Sequence, residues 1–134
     1  TVETTVESTV ETTVETTAAP GPSTRFSSNI QDGRSDGPTA FFNIRFQNTG
    51  GRDASLYDSI ERITITYNTS ATITEVSSDH FDFEPKEGST NVFYAYPTST
   101  DVVAQGEDIL TGILGSTDGD AVRSFTINYF IEYR

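Results

Sequence analysis

Strict alternation of apolar and polar residues runs through most of this chain and limits what it can fold into. Residues 39–47, TAFFNIRFQ, set Phe42, Ile44 and Phe46 against Asn43, Arg45 and Gln47. Residues 124–134, SFTINYFIEYR, set Phe125, Ile127, Tyr129, Ile131 and Tyr133 against Thr126, Asn128, Phe130, Glu132 and Arg134. A strand turns successive side chains to opposite faces, so a period of two predicts strands with one buried face. Shorter runs repeat the pattern at 63–67 (ITITY), 71–76 (ATITEV), 80–84 (HFDFE) and 91–96 (NVFYAY). Turn chemistry separates them: DGRSDGP at 32–38, NTGG at 48–51, EPKEGS at 84–89 and STDGD at 116–120. Short strands at this spacing predict an all-β protein, a single β-sandwich of immunoglobulin-like or jelly-roll type. ITITY and ATITEV, joined by Asn68-Thr69-Ser70, read as a hairpin. Residues 52–62 and 107–114 are each open to a single helical turn. The last strand carries the strongest pattern and is expected to be central.

The N-terminus is of a different kind. Residues 1–17, TVETTVESTVETTVETT, are four near-copies of Thr-Val-Glu-Thr, and residues 18–24, AAPGPST, break the repeat. The sandwich domain then spans residues 25–134. Four is an even number, so a strand would gather Val2, Val6, Val10 and Val14 on one face and Glu3, Glu7, Glu11 and Glu15 on the other. A helix would let the valines drift around its axis, and threonine and valine favour strands. Two readings follow. Thr-rich repeats serve as disordered linkers or glycosylated stalks. Alternatively, the tail is a long extended strand, about 55 Å for 17 residues at ~3.3 Å each. Stalks carry prolines throughout, whereas Pro20 and Pro22 come only after the repeat. A free strand of that length is an aggregation hazard, which pairing with a sheet edge on a neighbouring subunit would remove. Head-to-tail donation does not close on itself and builds a filament.

Charge narrows the function classes. The net charge is -12, and no basic cluster exists to neutralise phosphates, so nucleic acid is an unsuitable partner. An anionic membrane surface is equally unsuitable. Lys86 is the one lysine, and cysteine, methionine and tryptophan are absent. Disulfides, thiolate metal sites and cysteine nucleophiles are therefore excluded. No apolar run approaches the ~20 residues that span a bilayer. The chain begins at Thr1 rather than methionine, which is the expectation for a mature chain whose leader has been removed, the alternative being a chain trimmed at its start.

Candidate chemistry is sparse. His80, the single histidine, lies in SSDHFDFE near Asp79 and Asp82, on the polar phase of its run. A hydrolase triad needs a serine in an activated setting, and no GxSxG elbow occurs. Carboxylates are plentiful, but their spacing says nothing without a fold. Tyrosines could line a sugar platform, although tryptophan, the usual stacking residue, is missing. Asp118-Gly119-Asp120 and Asp32-Gly33 with Asp36-Gly37 form acidic loops of the kind that bind calcium, and calcium is the one cofactor the sequence suggests. Asp-Gly is equally plain turn chemistry, and neither loop matches the twelve-residue EF-hand pattern. Asn68-Thr69-Ser70 is a sequon for N-glycosylation.

FFNIRFQNTGG at 41–51 followed by ITITYN at 63–68 resembles the immunoglobulin-like sandwiches of prokaryotic surface proteins, whose strands often end in an Asn-Thr-Gly turn, as at Asn48-Thr49-Gly50. Archaeal filament subunits are one example. The tail is similar in concept to the donor strands of chaperone–usher pili. The resemblance implies a non-enzymatic subunit of an extracellular filament at the cell surface. Its partners would be identical subunits, joined through Val2, Val6, Val10 and Val14. The alternative is a secreted carbohydrate- or protein-binding sandwich carried on a Thr-rich stalk.

Overall fold

The computed structural model describes residues 26–134 in full and the backbone of a strand at residues 10–14. Eleven strands and one helical turn follow in order: β1 (Val10–Val14), β2 (Phe26–Asp36), β3 (Thr39–Asn48), β4 (Ala54–Ser55), α1 (Leu56–Ser59), β5 (Ile60–Asn68), β6 (Ile73–Ser78), β7 (Phe81–Pro85), β8 (Val92–Pro97), β9 (Val102–Val103), β10 (Asp108–Thr117) and β11 (Thr126–Tyr133). They form a five-stranded sheet ordered β1-β11-β5-β8-β7, a four-stranded sheet ordered β2-β3-β10-β6, and the small pair β4-β9. The two large sheets pack face to face as a sandwich. The chain is all-β, as its alternation predicts.

The apolar phase of each run becomes the core. β3 buries Ala40, Phe42, Ile44 and Phe46; β11 buries Ile127, Tyr129, Ile131 and Tyr133; β5 buries Ile60, Ile63, Ile65 and Tyr67. Tyr67 is the hub of the aromatic packing. Its ring centroid lies 5.8 Å from Phe42, 6.3 Å from Phe93 and 6.1 Å from Phe125. Each such ring contributes about 1.5–3 kcal/mol on burial.

Two asparagines decide how the loops run. Asn48 ends β3, and its side chain accepts from the Gly50 N–H and donates to the Arg52 and Val103 carbonyls. The Asn-Thr-Gly turn is thereby tied to β9. Asn91, at φ 63°, accepts from the Ile73 N–H and donates to the Ala71 carbonyl. This clamp overturns the expected hairpin. Between Asn68 and Ile73 the chain crosses from one sheet to the other: β5 pairs with β11 and β8, while β6 pairs with β10.

Residues 56–59 take the helical turn open to the 52–62 segment, capped by Ser55, whose hydroxyl accepts from the Asp58 N–H. Residues 107–114 do not; they enter β10. The last strand has a neighbour on each side, β5 antiparallel and β1 parallel. β11 is next to the edge rather than central, and its outer neighbour is the tail.

Candidate functional site

The residues marked out by the sequence do not converge on one place. His80 hydrogen-bonds through Nδ1 to the buried Thr111 hydroxyl at 3.0 Å, and its N–H donates to Ser78 Oγ. The geometry is that of a loop anchored to β10.

The acidic loops are turns. Asp36 lies at the β2–β3 corner, where Gly37 has φ 61° and the Asp36 carbonyl accepts from Thr39. Asp32, at φ 52°, sits in a bulge within β2 rather than in a loop. Asp118 and Asp120 belong to the turn after β10, where the Thr117 hydroxyl donates to the Asp120 carbonyl. The two corners touch through backbone bonds, Thr117 N–H to Pro38 and Val122 N–H to Gly37. Even so, no group of three or more acidic or histidine side chains able to hold a metal ion forms among the described residues. Asp32, Asp36, Asp118 and Asp120, the expected calcium ligands, therefore do not gather into such a group among the described residues.

Asn68 is exposed at the end of β5. Val10 and Val14 lie in β1, in register with Ile127 and Ile131 of the same chain. The sequence reading placed them on a neighbouring subunit. Val2 and Val6 fall outside the described residues.

A site emerges instead on the outer face of the five-stranded sheet. The outward residues there are Thr126, Asn128, Phe130 and Glu132 from β11, and Arg62, Thr64 and Thr66 from β5. β8 adds Tyr94 and Tyr96, and β7 adds Asp82 and Glu84. Strand pairing arranges them in rows. Phe130 stands opposite Thr64, Thr64 opposite Tyr94, and Tyr94 opposite Glu84. Phe130 and Tyr94 are thus two strands apart, roughly 10 Å at ~4.8 Å per strand. Tyr94 and Tyr96 lie along one strand with ring centroids 6.4 Å apart. All three rings are part-exposed.

Arg62 locks this arrangement. Its Nε donates to Glu132 Oε2 at 2.8 Å, and its guanidinium lies 4.2 Å from the centroid of the Tyr94 ring. The hydrogen bond to Glu132 is the largest influence holding the guanidinium in its charged form, outweighing the opposing effect of burial, and Tyr96 adds to it. The planar group fixes the tyrosine and cannot be mimicked by a lysine. A shallow hollow of about 180 Å³ lies beside Phe130, lined by Thr64, Thr66, Asn128, Tyr129 and Phe130. The face therefore combines rings set in nearly rigid strands with hydroxyls, an amide and carboxylates between them.

The opposite sheet offers a different surface. Phe41 packs over Gly112, with the Arg34 guanidinium 4.8 Å from its ring, and Leu110 and Leu114 are exposed nearby. Around this small apolar patch the surface is polar, with Asn43, Gln47 and the Arg45–Asp108 ion pair on the same strands.

The signal for the first face was present in the sequence as Phe130, an aromatic on the polar phase of the last strand. Arg62 and the outward turn of Tyr94 carried no such mark.

No family model matches the chain, and neither does any curated protein. Among solved structures it is similar to one described as "the unique CBM3-" of Hungateiclostridium clariflavum, at 13% identity and TM-score 0.49, covering 74% of this chain and 78% of that one. It is also similar to a family IIIA CBD from Clostridium cellulolyticum, at 14% identity and TM-score 0.48, covering 84% and 94%. A third is the chitin-binding domain of a hyperthermophilic chitinase from Pyrococcus furiosus, at 18% identity and TM-score 0.38, covering 82% and 91%. Likeness at this level bears on neither family nor function.

Proposed function

We propose that this chain is a secreted, non-catalytic carbohydrate-binding module, and that the outer face of the five-stranded sheet is its binding platform. One observation carries the reading: Phe130 on β11 and Tyr94 and Tyr96 on β8 stand part-exposed on one face with β5 between them, and Arg62 of β5 is stacked on Tyr94. Aromatic faces pack against the C–H faces of pyranose rings, while Thr64, Thr66 and Asn128 offer partners for sugar hydroxyls. Strands hold these groups with little conformational freedom to lose on binding. The ~10 Å between Phe130 and Tyr94 is about the length of two linked pyranose rings, which suits a polymer lying across the strands.

The test is co-sedimentation with insoluble neutral polysaccharides, cellulose and chitin. Wild type should bind at least one of them. Tyr94→Ala/Tyr96→Ala and Phe130→Ala should each weaken binding about tenfold or more, the scale of a buried aromatic anchor. Binding unchanged in both variants, or no binding by wild type to any neutral polysaccharide, would refute the platform.

A second reading, a filament subunit that donates its tail, is favoured by one fact: the strand on the outer edge of β11 comes from the Thr-Val-Glu repeat. Electron microscopy of the full chain beside a version lacking residues 1–17 tests it. Fibres formed by the full chain alone would support assembly through the tail. Two monodisperse monomers would dismiss it.

A further inference from the structure

β1 pairs with β11 through the pentapeptide VETTV at Val10–Val14, with Val10 opposite Ile127, Thr12 opposite Tyr129 and Val14 opposite Ile131. The same five residues occur again at 2–6. Residues 6–10 read VESTV and residues 14–18 read VETTA. The unit is four residues long, an even number, so sliding the tail by one unit preserves which residues share a face. A slip of one residue would invert the faces; a slip of four leaves the chemistry almost unchanged.

We propose that the outer edge of β11 is a strand-binding site whose ligand is the repeat unit itself, and that the copies of the unit at 2–6, 6–10 and 14–18 can occupy it in place of 10–14. The occupant belongs to the same chain. A connector of eleven residues, 15–25, joins β1 to β2, and it keeps every copy at high effective concentration beside the edge. Seating residues 2–6 instead lengthens the connector to 19 residues. The probability of loop closure falls as the three-halves power of length, so that change alters occupancy only about twofold. The 2–6 and 10–14 registers, identical in sequence, are therefore close in free energy, and each slip of one unit transfers four residues, about 13 Å of extended chain, from one side of the seat to the other. The tail then acts as a tether of adjustable reach that keeps β11 covered at every setting. A sequence with a single fitting segment would hold one reach only.

Hydrogen exchange of the β11 amides that face β1 reads the seat, and the β11 amides bonded to β5 report that the sandwich is intact. Adjacent prolines break one copy, because one of any two neighbouring strand residues turns its N–H to the partner. Thr12→Pro/Thr13→Pro breaks the copy seated in the structure. The proposal expects this variant to retain protection of the β1-facing amides within about threefold of wild type. Breaking every copy, by adding Thr4→Pro/Thr5→Pro, Ser8→Pro/Thr9→Pro and Thr16→Pro/Thr17→Pro, should abolish that protection and leave the β5-facing amides unchanged. If Thr12→Pro/Thr13→Pro alone exposes the edge as fully as the complete set, the seat is specific for residues 10–14 and the proposal is wrong. Protection that survives the complete set, or that depends on a concentration-dependent dimer in sedimentation, would overturn it as well.

Discussion

The hydroxyl of Tyr67 ends against the backbone of Gly115, so closely that a Cβ placed there would lie 2.7 Å from both the hydroxyl oxygen and Cζ. β10 thus needs a residue without a side chain at 115, although glycine is a poor strand former. Gly115→Ala should destabilise the domain by about 1–3 kcal/mol, the usual cost of overpacking, measured by urea unfolding. The same hydroxyl is buried and has no hydrogen-bond partner among the described residues. Tyr67→Phe should therefore be neutral or slightly stabilising, within ~1 kcal/mol, because it removes an unpaired polar atom without loss of ring packing. A loss above about 2 kcal/mol would mean that the hydroxyl is paired in solution.

Alkali should unfold this domain through the same residue. Burial pushes the Tyr67 phenol far above its ordinary range, and burial also raises Tyr129, partly offset by its hydrogen bond with Ser28. In the unfolded chain both phenols lose their protons near pH ~10. Above that pH the native state binds more protons than the unfolded state, so stability falls as pH rises. Below it the contribution is complete. The slope approaches ~1.4 kcal/mol per pH unit for each retained proton. Urea midpoints compared at pH 9, 10 and 11 should drop progressively, and less steeply in Tyr67→Phe.

Arg62 separates stability from binding. Its ion pair with Glu132 is about a third exposed on the arginine side, at 34% and 22% for the two side chains. Solvent screening limits the pair to about 1 kcal/mol or less. Arg62→Lys keeps the charge but loses the planar group stacked on Tyr94. The melting temperature should change little, while the adsorption isotherm on the bound polysaccharide weakens several-fold. Equal isotherms would remove Arg62 from the platform.

The charge of the face should select among polymers. Asp82, Glu84 and Glu132 all lie on its outward positions, and its one cation, Arg62, is already bonded to Glu132. Neutral polysaccharides should bind with little dependence on salt. A uronic-acid polymer should be repelled in low salt and less so above ~0.15 M, where screening shortens to about 8 Å. Affinity electrophoresis in gels containing each polymer distinguishes the cases.

What the sequence disclosed depended on the range of the interaction. The inward phases of Ile44 and Tyr129 were legible because strand alternation is local. β10 was not, because Gly112 and Gly115 weaken its pattern, and the reason for them lies in the distant rings of Phe41 and Tyr67. β2 was missed for a related reason: Asp32-Gly33 reads as a turn but forms a bulge inside a long strand. The hairpin expected at 63–76 failed because Asn91, far along the chain, holds the crossing segment. Phe130 announced an unusual outer face. The stacking of Arg62 on Tyr94 depends on β5–β8 pairing across some thirty residues, and no local pattern encodes it.

The Tyr94–Tyr96 pair has an optical consequence. The chain contains no tryptophan to drain or mask tyrosine emission, and of its six tyrosines these two share one outer face beside a guanidinium. Whatever settles on that face changes the surroundings of a third of the fluorophores at once, so the molecule carries its own unlabelled reporter where contact is expected.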